Sequence, residues 1–454
     1  MKITFCGGAG TVTGSNFLVE ESTGEGKKFL VDCGLLQGGK ICEEDNFKPF
    51  AYDPKDITAI FITHAHIDHI GRLPRLVKQG FRGQIYSTAP TKAIAELNLL
   101  DSLGVFQKEA RKSGREELLY QEVDVVETIK HWQTVEYHEA IKFADLTISL
   151  LNAGHILGSA MVVFSRGGKK LVFTGDLGNS PTPLLPDTEI INDADYLVME
   201  SVYGDRLHEA KAERKRRLEA VIEEVVGRGG VLVIPAFSIE RTQELLFEIE
   251  ELIERSRVPV VPVFLDSPLA IKVTRVYRDY LDFLNLSAQE KDSLSDGIFR
   301  FPNLHQTLTT EESKAILGLP DPKIIIAGSG MSNGGRILHH ERHYLGDQKN
   351  ALLLVGYQAG GSLGRLLLEG ARSVRIMGEE VMVAAQIINL TGYSAHRDSD
   401  GLFNFVRQSA DTLKRVFVVL GEPRSALFLV QRLRDYLGLE ASAPQAGESV
   451  DLPL

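Results

Sequence analysis

The sequence predicts an α/β protein of two domains, on three observations. Short apolar runs ending in glycine-rich turns fill the first third, and strand-then-helix units recur from about residue 209. The chain's 454 residues also exceed what one hydrophobic core comfortably serves.

In the first third, KITFCGGAG, KFLVDCG, ITAIFITHAH, LTISLLNAGH and KKLVFTGDLG read as strands. A histidine or aspartate follows where each of four apolar runs stops, at Asp32, His64, His155 and Asp176. Ligand-holding loops gather at strand ends, so these residues are expected to converge on one sheet edge. Further on, EAKAERKRRLEAVIEEVV predicts a helix, GVLVIPAF a strand, RTQELLFEIEELIERS a helix and VPVVPVFLD a strand, followed by a helical region to about residue 317. KIIIAGSG, a helix opening at GGRILHHERHYLG, and ALLLVGYQAGG continue the rhythm, which implies a parallel sheet with helices on both faces. RVFVVLGEPRSALFLVQRLRDYLG closes the chain as strand then helix. Without a linker-like tract, the second domain is compatible with an insertion into the first as well as with a bead after it.

Composition narrows the class. With 43% hydrophobic and 24% charged residues the chain looks globular and water-soluble. No apolar run approaches the roughly 20 residues that span a bilayer, and MKITFCGGAG lacks a signal-peptide pattern, so a cytoplasmic protein without membrane contact is expected. Cys6, Cys33 and Cys42 form no CxxC pair, which fits a reducing compartment. The net charge of -11 argues against broad attraction to nucleic acid. KAERKRR, Lys211 to Arg217, is a local candidate for a basic groove, although a solvated helix face interleaved with glutamates is the plainer reading.

The chemistry concentrates in THAHIDHIGRLP. In an extended loop His64 and His66 point the same way and can reach one cation, while Asp68 and His69 follow as the chain turns into a helix. Imidazole and carboxylate ligands suit zinc best. A catalytic zinc needs more protein ligands, and His155 in NAGHILGSA and Asp176 in FTGDLG offer them among small neighbours. By contrast, His339, His340 and His343 sit in a polar helical setting and read as structural or surface residues.

The pattern resembles the metallo-β-lactamase superfamily over essentially the whole chain: LVDCG with Asp32, HAHIDH, AGHILGSA with His155, and TGDLG with Asp176. ESVYGDR with Glu200, PAFSIERTQELL, DSPLA, GSGMSNGGR, GYQAGGSLGR and YSAH with His396 further resemble its β-CASP subfamily of RNA-processing and DNA-repair nucleases. The wording is most similar to bacterial and archaeal ribonucleases related to the endonuclease subunit of the cleavage and polyadenylation factor. The resemblance implies a four-layer αβ/βα core, 1–208 and 395–454, with an α/β parallel-sheet β-CASP domain inserted at 209–394. It implies that His64, His66, His155 and Asp176 hold one zinc, and that Asp68 and His69 hold a second with Asp176 bridging. Asp32 would fix a ligand from outside, and Glu200 with His396 would protonate the leaving oxygen. Two cations would acidify a water to attack phosphorus.

One position departs from the subfamily. Where it supplies a histidine in a phrase like V-H-G-E, this chain reads VVLGEP, with Leu420. The second zinc would keep only Asp68, His69 and the shared Asp176. An RNA-hydrolysing enzyme with a weakened second site is therefore the expectation, and a catalytically impaired RNA-binding or scaffold subunit is the alternative. Hydrolysis of a thioester or lactone fits the inserted domain less well. Single-stranded RNA would lie in the family's interdomain cleft, with Ser238, Arg241, Ser329, Gly330, Ser362 and Arg365 near strand-to-helix turns that can hold phosphate. The resemblance leaves a homodimer open.

Overall fold

The computed structural model describes residues 1–22, 26–38, 44–114, 117–209, 211–286, 298–356, 358 and 360–454. Cys42, and Tyr357 and Ala359 of GYQAGG, lie outside the described residues. The chain forms two compact units, Met1–Leu207 with His396–Leu454, and His208–Ala395.

In the first unit two mixed seven-stranded sheets face each other. One runs, in spatial order, Ser449–Asp451, Lys2–Gly7, Asn16–Glu20, Lys28–Val31, Ile57–Phe61, Gln84–Ser87 and Trp132–Thr134. The other runs Ala441–Ser442, Arg415–Val418, Tyr196–Met199, Lys169–Phe173, Ala160–Arg166, Leu146–Asn152 and Ile141–Phe143. Phenylalanines from both sheets make the core between them: Phe5 meets Phe417 with ring centroids 5.4 Å apart, and Phe17 meets Phe173 at 5.7 Å. Such pairs add about 0.5–1.5 kcal/mol each beyond the area they bury. On the outer face of the second sheet, Leu402, Phe405 and Val406 of helix Ser399–Arg407 join Leu429 and Leu433 of helix Pro423–Leu437 around Val172, Leu197 and Val416. The helices Leu73–Lys78, Ala89–Ser113 and Glu122–Lys130 pack together beside the first sheet, so the layers read helix, sheet, sheet, helix.

The second unit is built on six parallel strands in the order Leu304–Gln306, Val263–Asp266, Lys323–Ala327, Val231–Pro235, Ala351–Leu354 and Gln386–Asn389. VLVIP and KIIIA are buried throughout, as strands covered on both faces must be. The helical region expected to about residue 317 is interrupted. The helix Pro268–Asp279 ends, strand Leu304–Gln306 joins the sheet edge, and a short capped helix follows at Thr310–Ala315. Pro302 and the left-handed Asn303 (φ 66°) turn the chain into that strand. KAERKRR belongs to helix Lys211–Gly227, and its cations are neutralised: Arg214 by Glu244 and Glu248, Lys215 by Glu251, Arg216 by Glu213 and Arg217 by Glu209. Among the described side chains, these four cations are paired rather than open as a basic groove. No helix among the described residues is long and apolar enough to cross a membrane.

Candidate metal centre

The loops that follow four strands of the first unit place the site. Strand Ile57–Phe61 runs into Thr63 and the extended His64–His66, and His66 then caps the short helix Ile67–Ile70. His155 follows Leu146–Asn152, Asp176 follows Lys169–Phe173, and Glu200 follows Tyr196–Met199. His396 pairs with Gly178 through an isolated bridge. Close backbone approach requires glycine at two points. A Cβ on Gly34 would stand 1.5 Å from the Asp68 carbonyl oxygen, and one on Gly178 would stand 1.7 Å from that of Gly154, beside His155.

One donor atom each from His64, His66, His155 and Asp176 lie within 4.8 Å of one another. The imidazoles face each other through ring nitrogens, His64 Nε2 to His66 Nδ1 at 3.0 Å and His155 Nε2 to His66 Nδ1 at 3.3 Å. Asp176 Oδ2 stands 3.4 Å from His64 Nε2 and 3.5 Å from both His155 Nε2 and His69 Nε2. Asp176, Glu200 and His396 form a second such group, with His396 Nδ1 3.3 Å from Glu200 Oε1 and 4.0 Å from Asp176 Oδ2. Asp68 and His69 stand outside both groups.

Burial, with crowding by neighbouring imidazoles, pushes the pKa of His64, His66 and His155 down, so these rings are neutral and keep lone pairs for a cation. Burial works against a charge on Asp176, but His69, His64 and His396 outweigh it and hold the carboxylate well below its usual range. Burial raises Asp68. Although burial opposes it, Asp176 and Asp32 lift His69 well above the usual imidazole range. The buried His69 Nε2 has no hydrogen-bond partner. Converging neutral imidazoles, an ionised carboxylate and this orphaned nitrogen fit a divalent cation of the zinc type.

Asp32, buried and left-handed at φ 61°, anchors the arrangement. Its Oδ1 accepts the Thr63 N–H at 2.8 Å, and its Oδ2 accepts the Ser15 hydroxyl at 2.9 Å and lies 2.7 Å from His69 Nδ1. By accepting from Nδ1–H, Asp32 fixes the orientation of the His69 ring, with Nε2 on the side of Asp176. Sequence reasoning missed Thr63, whose hydroxyl lies 2.9 Å from Asp32 Oδ2, 3.1 Å from His64 Nδ1 and 3.3 Å from His69 Nδ1. Its place directly before HAHIDH was the available signal.

Leu420 lies on the same unit, 1% exposed and left-handed at φ 47°. Its N–H donates to Gly8 at 2.7 Å and its carbonyl accepts from Ser201 at 3.2 Å. The side chain covers Gly8, where a Cβ would meet Leu420 Cδ2 at 2.8 Å and Phe17 Cζ at 3.3 Å. A leucine in this region is strained by about 1–2 kcal/mol, so the backbone hydrogen bonds hold a conformation the residue itself disfavours.

The six residues expected to hold phosphate all lie in the second unit. Arg241 departs from that expectation. It is 4% exposed, paired with Glu244 and set over the Tyr393 ring at 6.0 Å, because helix Arg241–Glu254 is buried over most of its first turns. Ser362 Oγ caps helix Leu363–Leu368 by accepting the Arg365 N–H at 3.1 Å. Arg365 is half-buried and reaches Glu369 at 2.6 Å. Ser329 Oγ accepts the Asn333 N–H at 3.1 Å, Gly330 sits against Phe237, and Ser238 shares a hydrogen bond with Ser267 at 3.1 Å. His340 donates to the buried Asp266 at 2.7 Å, a structural role, and His343 is exposed.

Two facing mixed sheets with a buried histidine–aspartate cluster at their loop edge define a metal-dependent hydrolase. The chain belongs to the metallo-β-lactamase superfamily, whose model matches residues 9–235. A Beta-Casp domain model matches 242–367, and a Zn-dependent metallo-hydrolase RNA specificity domain model matches 380–444. A protein named Ribonuclease TTHA0252 from Thermus thermophilus is 38% identical, over 99% of this chain and 100% of its own. Transcription termination factor FttA of Methanosarcina mazei is 31% identical over 100% of this chain and 72% of its own. An RNase J-like protein of Methanocaldococcus jannaschii is 31% identical over 94% and 95%. In fold the chain is similar to a crystal structure of a protein of unknown function from Enterococcus faecalis, with a TM-score of 0.56 at 14% identity and 99% coverage of each chain.

Proposed function

We propose that the protein hydrolyses phosphodiester bonds of single-stranded RNA, with zinc as its metal. The single observation that carries this reading is the convergence of His64, His66, His155 and Asp176 donor atoms within 4.8 Å, in a chain whose relatives include a named ribonuclease. His64, His66, His155 and Asp176 would hold one ion, and Asp68, His69 and Asp176 a weaker second, with Leu420 unable to contribute. A bound divalent ion supplies the positive charge that makes water nucleophilic and neutralises phosphate oxygens.

The chain's own residues do the rest. Asp32 orients His69 through Nδ1 and, with Thr63, fixes the HAHIDH turn. Glu200 is locked by accepting the Leu177 N–H at 2.7 Å, and it holds His396 at Nδ1. Burial disfavours a charged His396, but Glu200 and Asp176 outweigh it and raise its pKa to about 9, so the ring carries a proton it can give to the leaving oxygen. Ser238, Ser329, Gly330, Ser362 and Arg365 remain the residues offered to phosphate in the second unit, whereas Arg241 is enclosed by Glu244 and Tyr393. Cys6 and Cys33 are thiols, which suits a cytoplasmic setting.

A second reading rests on Leu420: a subunit that binds RNA with little or no chemistry. Labelled single-stranded RNA incubated with the protein separates the two. Cleavage that stops with a chelator and returns with zinc supports the enzyme. Tight binding without cleavage at any zinc concentration supports the subunit, and neither binding nor cleavage refutes both.

A further inference from the structure

The second unit holds a basic hollow that the metal centre does not use. A depression of about 640 Å³ is lined by Arg275, Arg278 and Arg300 around Phe299, Phe301 and Leu304. Arg275 and Arg278 are three apart on helix Pro268–Asp279 and therefore share a face. Arg300 is set by its own turn. The left-handed Phe299 (φ 62°) and Arg300 both donate their N–H groups, at 2.9 Å, to the carboxylate of Glu250, which is buried and fixed in the helix Arg241–Glu254.

Some arginines of this unit carry carboxylate partners, as Arg214, Arg257 and Arg336 do. Among the described residues, Arg275, Arg278 and Arg300 form no ion pair. Burial, and then repulsion from Arg300 and Arg275, depresses the pKa of Arg278, with Asp279 offsetting only part of it. Gathering three like charges costs stability. In a chain of net charge -11, such a concentration is a local exception suited to phosphate, which arginine recognises in bidentate fashion.

We propose that the hollow formed by Arg275, Arg278 and Arg300 is a backbone-binding site for single-stranded RNA, holding phosphates of nucleotides other than those at the bond being cut. The site deepens the ribonuclease reading and rests on it. Its charged rim takes the phosphates. Long RNAs gain from it and short ones do not.

Fluorescence anisotropy of a labelled 30-nucleotide RNA and a 5-nucleotide RNA tests this in an Asp176→Asn background, so that binding is read without cutting. The variants are Arg275→Gln/Arg278→Gln/Arg300→Gln, the matching triple lysine protein, and Arg275→Gln alone. Each phosphate left without its arginine takes about 0.7 from the slope of log affinity on log salt, so the triple glutamine protein should show a slope lower by about two for the 30-mer. Affinity for the 30-mer should fall at least tenfold, 5-mer binding should hold, and the lysine protein should keep the slope. An unchanged slope in the triple glutamine protein overturns the proposal. If that protein fails to fold, an unchanged 30-mer slope in exposed Arg275→Gln, where a drop of about 0.7 is expected, does the same. Heat of binding for inorganic phosphate that disappears in the variant, with the RNA slope intact, would assign the hollow to a small phosphorylated molecule and also overturn it. Cleavage of the 5-mer with the triple variant on an otherwise wild-type chain keeps the two readings apart. If the wild type cuts nothing, the function fails; if both cut equally while 30-mer binding is unaltered, only the hollow fails.

Discussion

Glu341→Gln isolates the energetics of the glycine-rich loop at Gly328–Arg336. Glu341 is fully buried on helix Ile337–Tyr344, accepts the Ser332 hydroxyl at Oε1, and leaves Oε2 without a partner. Burial raises its pKa from 4.5 to about 8, against a smaller opposing contribution from Ser332. The folded protein therefore keeps a proton that the unfolded chain has already lost, so this group's contribution is complete below pH 4.5 and disappears as pH rises through 8. At 1.36 kcal/mol per pH unit, the wild type should lose about 4 kcal/mol of stability between pH 5 and 9 through this residue. Glutamine keeps the shape and an acceptor for Ser332 but cannot ionise. Its amide leaves a buried donor unpaired, a cost of about 1–3 kcal/mol that does not vary with pH. Urea unfolding of both proteins, followed by circular dichroism at pH 5, 7 and 9, gives the difference at each pH. The variant should be the less stable at pH 5 and the more stable at pH 9. Parallel pH curves would refute the reasoning.

Asp32→Asn should lower zinc affinity about 10–100-fold in competition with a chromophoric chelator, since it removes the charge behind His69; unaltered affinity contradicts that role. Asp266→Ala strands Arg336, His340, Thr307 and Ser313, which all donate to its buried carboxylate, and should cost about 3–5 kcal/mol in thermal or urea unfolding. Leu420→Ala should cost about 2–5 kcal/mol, less whatever room Gly8 and Phe17 give up by closing in, and a drop below 1 kcal/mol would show that the leucine does not fill its place.

Much of this fold could be read from alternation and punctuation. KFLV, ITAIF and KKLVF are apolar, end abruptly in a polar residue, and become strands whose following loops carry Asp32, His64 and Asp176. Strand Leu304–Gln306 escaped because three residues carry no period; its partner Val263–Asp266 and the turn at Asn303 define it. Arg241 misled because exposure is a tertiary property. RTQELL at a strand-to-helix junction reads as open to ligand, yet Glu244 and Tyr393 enclose it. For KAERKRR the plainer reading, a helix face among glutamates, agrees with the pairing of its arginines, although the carboxylates that neutralise Arg214 and Lys215 come from the neighbouring helix and could not be read locally. The absence of a histidine at 420 is plain in the sequence, but the leucine's contact with Gly8 and its strained backbone are not.

Whether the centre is a working hydrolase with a weakened second metal site is tested most directly by metal content. Mass spectrometry on protein purified without chelator gives it, alongside cleavage of labelled single-stranded RNA by wild type, Asp176→Ala and Leu420→His. A working hydrolase should carry zinc in the wild type, cut RNA unless Asp176 is replaced by alanine, and gain both zinc occupancy and cleavage rate in Leu420→His. Wild type that holds little metal and leaves RNA intact, with cutting only in Leu420→His, would contradict this and make the natural protein a binding subunit on an enzyme's frame.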